Sequence, residues 1–251
     1  LDARYWIGLE WYEEILGSDR FWASLGRSSL FSICILSIEI PLGIAIALCI
    51  PRNRMWVGIA LSVVSLPLLV PWNMIPSLWL GLLNPQTGVL RYILPALGWP
   101  VDWKASVPHT WAVLIVMDVW HWTALVTILC YSALTTIPTS HYQAAAIDRA
   151  SPWQVFRFIQ LPMLRHVLLM AVLLRFMDSF MIYTEVFPIN AGGPGGATTF
   201  LAVDLGEDIK AFNYGPSAAR SVIYFLIVLT VAWLFSRAQG KLDSTENEGA
   251  A

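Results

Sequence analysis

The sequence predicts an all-α fold, a polytopic transmembrane helical bundle. Three observations predict it. Hydrophobic residues make up 57% of the chain and charged residues only 13%, against about 25% charged in a soluble domain. Five stretches are apolar over the roughly 20 residues that a helix needs to cross a bilayer. Many of the 13 tryptophans fall near the ends of those stretches (Trp6, Trp11, Trp22, Trp72, Trp99, Trp103 and Trp111), where an interfacial aromatic belt belongs.

Residues 1–27 hold Glu10, Trp11, Glu13, Glu14, Phe21 and Trp22, the pattern of an amphipathic interfacial segment ahead of the first span. The spans follow at about 28–50, 55–82, 107–134, 164–187 and 217–235. Pro67, Pro71 and Pro76 interrupt the second and predict a kinked helix, because freed carbonyls are tolerated beside a cavity or partner helices. Between 84 and 106, Asn84-Pro85, Gly88 and Gly98-Trp99-Pro100 flank a short apolar piece over 89–97, which reads as turn, surface helix and turn. Residues 188–216 carry Gly192-Gly193-Pro194-Gly195-Gly196 and then a short helix near 201–212. No Lys-Ser/Thr follows these glycines, so they predict a tight outer loop and not a phosphate cradle. Residues 1–238 form a single membrane domain. The tail over 239–251 is polar and is expected to fray.

Composition excludes several functions. A net charge of −2 supplies no field for nucleic acid. Cys34, Cys49 and Cys130 lie in apolar runs without a CxxC or a histidine at ligand spacing, and read as small apolar fillers. His109, His121, His141 and His166 are too scattered to be paired haem ligands. Gly240-Lys241 is followed by Leu242, so no nucleotide-binding loop is present and no cofactor is expected in this chain. Lys and Arg divide evenly between the two sides of the membrane, which leaves orientation open.

Ionisable groups inside spans are costly and face a bundle interior or water. Glu39, Asp118, Arg175, Asp178 and Glu185 are such groups, with His121 beside them. Asp118, His121 and Trp122 share a helix face at i, i+3 and i+4. Arg175 and Asp178 are spaced to pair locally. Two readings stay open: a structural salt bridge, or a polar lining met by a hydroxylated solute. In the second, Trp72, Asn73, Trp120, Trp122, Phe180 and Tyr183 are candidate liners, since rings stack on the C–H faces of sugars and polyols while their hydroxyls pair with polar groups.

Residues 138–163 are the most structured connector. Ser140 with Gln143, and Ser151 with Gln154 behind Pro152, form two capping boxes. Ala144, Ala145 and Ala146 favour helix, and Pro162 is expected to end the second helix at or before Leu161. Two short helices joined by a turn over 148–150 make an elbow. It suits docking onto a partner, or serves only as a structured loop; the residues alone leave both open.

This stretch resembles the signature loop of the permease subunits of ABC importers: Glu-Ala-Ala, three residues, Gly, nine residues, Ile-x-Leu-Pro. Ala144 and Ala145 take the two alanines, Asp148 the acidic place common in the sugar branch, and Ile159, Leu161 and Pro162 complete the pattern. Gln143 stands where the family has Glu, and Arg149 where it has Gly. At a turn of positive φ, Arg costs about 1 kcal/mol or more over Gly. The likeness covers roughly residues 8–238. Leu66-Pro67, Pro71-Trp72, Asn84-Pro85 and Gly88 are similar to the third span and outer loop of maltose and glycerol-phosphate type permeases. Residues 175–185, with Gly192-Gly193-Pro194 and Thr198-Thr199, are similar to their fifth span and outer loop.

The resemblance implies a type I ABC importer permease fold with six core spans, five of them here and one before residue 1. It implies the bacterial inner membrane, with the elbow in the cytoplasm. It makes Gln143, Ala144, Ala145, Asp148, Arg149, Ala150, Ile159, Leu161 and Pro162 the residues that couple to an ATPase. The implied partners are a second homologous permease, two ATPase subunits that hold ATP and Mg, a periplasmic or lipoprotein solute-binding protein, and membrane lipid. The chain itself is then a transport subunit and not an enzyme. The implied solute is a sugar, polyol or glycerol-like molecule, and the run over 175–185 is similar to a polyol or glycerol subset. A phosphorylated solute wants several basic groups, and Arg175 alone favours a neutral polyol. The alternative is an ion-coupled secondary transporter using Asp118 and Asp178; the chain is short for that class and shows no internal repeat.

Overall fold

The computed structural model describes residues 7–249 except 52, 97 and 99–101, and leaves aside the side chains of 54 and of 241–249. The described residues are all helix and loop. They group into two compact units, one drawn from Leu1–Ser32, Trp72–Leu114 and Met177–Leu234, the other from Ile33–Pro71, Ile115–Phe176 and Phe235–Ala251. Four helices are long and apolar enough to cross a membrane: Asp19–Cys49, Val107–Thr136, Pro152–Phe180 and Tyr214–Gly240. The broken stretch Met55–Leu69 and Trp72–Leu83 makes a fifth.

The short helix α1 (Glu10–Gly17) keeps Glu10, Glu13 and Glu14 exposed and buries Ile15, as an amphipathic segment should. Extended Ser18 ends it, and α2 (Asp19–Cys49) starts at once. The apolar pattern places that start at Ser28. The helix begins earlier because Arg20 and Ser24 are held by Asp204 and Arg27 by the Thr199 carbonyl, so its polar first turns are tied down by residues far along the chain. Asp19 in the first turn also suits the helix dipole.

The second span is broken, not merely kinked. Helix α3 (Arg54–Ser65) runs into a 3-10 turn, Leu66–Leu69, and Val70 is extended. A second 3-10 turn, Trp72–Met74, leads into α4 (Ile75–Leu83), with Pro76 in its first turn, where a missing N–H costs nothing. Helix α5 (Leu90–Ala96) is the short helix expected in the next connector. Trp6, Trp99 and Pro100 lie outside the described residues.

Helix α6 (Val107–Thr136) is the central one: 61% of its most apolar stretch is buried, against 11% for Pro152–Phe180 and 17% for Tyr214–Gly240. The latter two leave most of their apolar surface exposed. Helix α7 (Thr139–Ile147) and α8 (Pro152–Val155) form the elbow. A π-helical turn, Phe156–Gln160, joins α8 directly to α9 (Leu161–Phe180). Pro162 therefore stops nothing. It sits one residue into a fresh α-segment, and the wide turn before it removes the clash its ring would make with the carbonyl four residues back.

Helix α9 stops at Phe180, before the predicted end at Phe187, and a separate α10 (Val186–Asn190) follows a turn. Starting from Pro152, the helix has already run far enough to cross. Helix α11 (Leu201–Lys210) is the short helix expected near 201–212. Helix α12 (Tyr214–Gly249) continues through the tail, where fraying is expected; Ala238, Gln239, Lys241 and Leu242 are good helix formers.

In the second unit, Ala47, Val126, Cys130 and Leu164 form a buried cluster. Gly43 lets α2 and α6 touch there: a Cβ would meet Val126 Cγ1 at 2.6 Å. In the first unit, Phe31, Trp111 and Phe200 meet edge to face or tilted, with ring centroids 5.0–5.9 Å apart. Trp103 is buried and the Trp111 indole N–H donates to Ala197 O at 3.1 Å, so these two are core and not belt, unlike exposed Trp22 and Trp72.

Candidate functional site

Two features carry chemistry or mechanics: the elbow, and a buried charge cluster in the same unit. The elbow starts at Thr139, one residue before the Ser140–Gln143 box, which does not form. Pro138 holds extended backbone (φ −58, ψ 140), and the helix begins directly after it without a side-chain cap. The second box does form. Ser151 Oγ accepts from the Gln154 N–H at 3.3 Å and the Ser151 N–H donates to Gln154 Oε1 at 2.6 Å, with Pro152 next.

Between the helices, the Ala150 N–H donates to Ala145 O at 2.9 Å and the Arg149 N–H to Ala146 O at 3.2 Å. These are the two bonds of a Schellman stop, whose next-to-last residue is left-handed. That residue is Arg149, at φ 53. The turn thus adopts the geometry that a glycine would favour, and the arginine bears the strain. Of the signature residues, Gln143, Ala144, Asp148, Arg149 and Pro162 are exposed, Ala150, Ile159 and Leu161 are half-buried, and Ala145 is buried. Beside them Ile147 is 82% exposed, Trp153 66% and Phe158 70%. An elbow with that much bare apolar surface and a backbone locked at both ends has the form of a docking element.

The charge cluster centres on Arg175 of α9. Its Nε donates to both oxygens of Glu39 from α2, at 2.8 and 2.9 Å, and its Nη2 donates to Asp118 Oδ2 from α6, at 2.5 Å. The guanidinium lies over the Trp122 ring, 4.7 Å from its centroid. His121 is buried and meets Trp122 edge to face at 4.8 Å. Carboxylates from two other helices therefore close on a single cation. Sequence spacing suggests Asp178 as the partner of Arg175; Glu39 and Asp118 come from helices that only folding brings near. With Nε and Nη2 on the protein's own carboxylates and a ring across its face, Arg175 is committed internally.

Trp120 is exposed on α6 in the unit of the charge cluster, and the remaining candidates lie in the other unit. Trp72 and Asn73 are exposed on the 3-10 turn, and Asp178 is exposed on α9. Phe180 and Glu185 are buried. Tyr183 stacks on Phe187 at 5.4 Å, and the Lys210 ammonium sits 3.1 Å above the Phe187 ring. The structure thus brings Asp118, His121, Trp122 and Arg175 together in one unit and places Trp72, Asn73, Asp178, Phe180, Tyr183 and Glu185 in the other.

One cluster in this unit has no counterpart among the residues singled out by spacing. Asp204 of α11 is buried, accepts from Arg20 Nε at 2.6 Å and from Ser24 Oγ, and Arg20 also reaches Glu207. The Ser28 hydroxyl accepts the Leu201 N–H at 3.0 Å, and Arg27 Nε donates to Thr199 O at 2.8 Å. Before α11, the Thr198 N–H donates to Gly192 O at 2.7 Å, and a Cβ on Gly193 would meet Thr198 Oγ1 at 2.4 Å. The glycine run is the tight loop expected. A lone Asp after Leu201-Ala202-Val203 is the sequence signal for the clasp.

Residues 39–244 match the family model described as "Binding-protein-dependent transport system inner membrane component". The chain is 32% identical over 225 residues to the trehalose/maltose transport system permease protein MalF of Thermococcus litoralis, covering 89% of this chain and 76% of that protein. It is 30% identical to the diacetylchitobiose uptake system permease protein DasB of Streptomyces coelicolor, over 96% of this chain and 75% of that one. Its fold superposes with a TM-score of 0.84 on a chain of a bacterial ABC transporter that imports the acidic polysaccharide alginate, at 18% identity, covering 95% of this chain and 85% of that one.

Proposed function

The chain belongs to the family of binding-protein-dependent transport system inner membrane components, and from that premise we propose that its elbow takes the stroke of a separate ATPase while its spans form half the path of a neutral saccharide or polyol. It is a multi-pass inner-membrane permease subunit of an ABC importer, with the helical fold of that class. That assignment sets aside the ion-coupled alternative.

The observation that carries the coupling is the elbow. Two short helices, joined by a Schellman turn and the second opened by a capping box, present Gln143, Ala144, Asp148 and Arg149 outward beside bare Ile147 and Trp153. A cleft on an ATPase subunit that carries ATP and Mg would grip it on the cytoplasmic side. The other partners are a second homologous permease, a second ATPase subunit and an external solute-binding protein. The stroke works only if the gripped and released states bind the ATPase differently. Because α8 runs through the π turn into α9 without a stop, movement of the elbow is passed to a membrane span.

Two points support a neutral carbohydrate. The relatives above are named for trehalose, maltose and diacetylchitobiose. The buried cation that could have met an anionic solute is held by Glu39 and Asp118. Binding of trehalose, maltose, mannitol, glycerol and glycerol phosphate to the partner solute-binding protein tests this; preference for glycerol phosphate overturns it. For the coupling, Asp148→Lys reverses an exposed charge at the elbow and lowers binding-protein-stimulated ATPase activity about tenfold or more, with insertion intact. Ile147→Asp is the companion variant; Ala145 is buried and reports packing instead. Normal uptake and stimulated ATPase in both variants refute the docking assignment.

A further inference from the structure

At the base of the elbow lies a cavity of about 510 Å³, walled by the ends of α2 and α6, by α7 and by the π turn. That volume falls within the range of small-molecule pockets, about 300–1,000 Å³. Tyr131, Thr135, Thr139, Tyr142, Gln143 and Gln160 supply its polar lining, and Ala47, Ile50 and Ile137 its buried apolar floor. Among the described residues that line it, none carries a charged side chain. Hydroxyls and amides around two phenol rings over an apolar floor are chemistry for a neutral polyhydroxylated molecule: amides pair with hydroxyls in both directions, and rings take C–H faces.

The cavity is also placed where an occupant has a mechanical effect. Gln160 Nε2 donates to the Tyr142 hydroxyl at 3.4 Å, a long bond that ties the π turn to α7. A solute hydroxyl between these two groups replaces one long bond by two short ones and braces the elbow against the ends of α2 and α6. We infer that this cavity is a second solute site, on the inner face, through which imported saccharide or polyol slows its own uptake. The inference rests on the transport reading and on the cytoplasmic placement of the elbow. Binding acts on the cycle because the cavity's walls include the element that must move: solute that fits this arrangement better than the other shifts the balance toward it.

The test uses the assembled importer in proteoliposomes, with ATP inside and the loaded binding protein outside. Labelled trehalose, maltose and mannitol are each supplied outside, and the same compound unlabelled, or equiosmolar NaCl, is trapped inside. Trapped at about ten times a millimolar Kd, solute fills about nine sites in ten and slows initial uptake about tenfold relative to NaCl. Tyr131→Phe and Thr135→Val each reduce that slowing to about twofold or less while uptake into NaCl-loaded vesicles stays at the unsubstituted rate. Uptake that is insensitive to trapped solute, or equally slowed in both variants, overturns the site and leaves the importer reading standing. Absence of uptake of all three compounds overturns the carbohydrate reading and the site with it.

Discussion

Arg175 and Arg20 each bind two carboxylates, yet solvent treats them differently. The Arg175 side chain is 1% exposed, with partners at 0% and 1%; Arg20 is 54% exposed, with partners at 1% for Asp204 and 40% for Glu207. In the buried cluster both carboxylates depend on the one cation, because removing Arg175 leaves two negative charges stranded without water. In the clasp water substitutes for what is lost at Arg20 and Glu207, though not at buried Asp204, Ser24 and Ser28. Counting ion pairs would rank the two clusters equal. Burial says that one holds α2, α6 and α9 together and that the other trims the seating of α11.

Substitutions can break or sharpen that ranking. The largest expected effect is from Arg175→Ala, about 3–5 kcal/mol of stability in detergent unfolding, with little folded protein recovered. Its control is the combined Glu39→Gln, Asp118→Asn and Arg175→Met variant, expected within about 1–2 kcal/mol of the parent. If the triple variant is as unstable as the single one, the cluster does more than balance charge. Asp204→Asn comes next, at about 1–3 kcal/mol, since a buried acceptor loses part of its shell. A third arginine separates geometry from charge. Arg149→Gly relieves the left-handed backbone and is expected to raise stability by about 1 kcal/mol. The smallest effect is Arg20→Ala, under about 1 kcal/mol and shrinking further in added salt. A larger loss at Arg20 than at Asp204 would reverse the ranking.

Much of this was legible in the chain. Span number, the elbow and its second capping box follow from local residue types, because caps and turns are settled within a few positions; the left-handed demand on Arg149 follows from the glycine that the resembled signature loop has there. What was not legible depends on partners far along the sequence. The start of α2 at Asp19 is hidden by Arg20, Ser24 and Arg27, which look like surface until Thr199 and Asp204 supply their acceptors. Glu39 and Asp118 cannot be matched to Arg175 by spacing, being on other helices. Pro162 misleads for a third reason: a proline breaks an ideal ladder, and the ladder here is already opened by the π turn. The two halves of the second span were joined in the sequence reading because hydropathy is blind to the extended Val70.

The π turn at Phe156–Gln160 holds one residue more than an α-helical ladder would accept. Everything before it is consequently rotated about its axis relative to α9 by about 100°, the share of one residue in a 3.6-residue turn. Excising a single residue there would restore a seamless helix, shorten it by about 1.5 Å and point the Trp153 side of α8 toward a different neighbour. The chain thus carries a built-in indexing error, and the bearing at which its handle meets the machinery below is set by that one surplus residue.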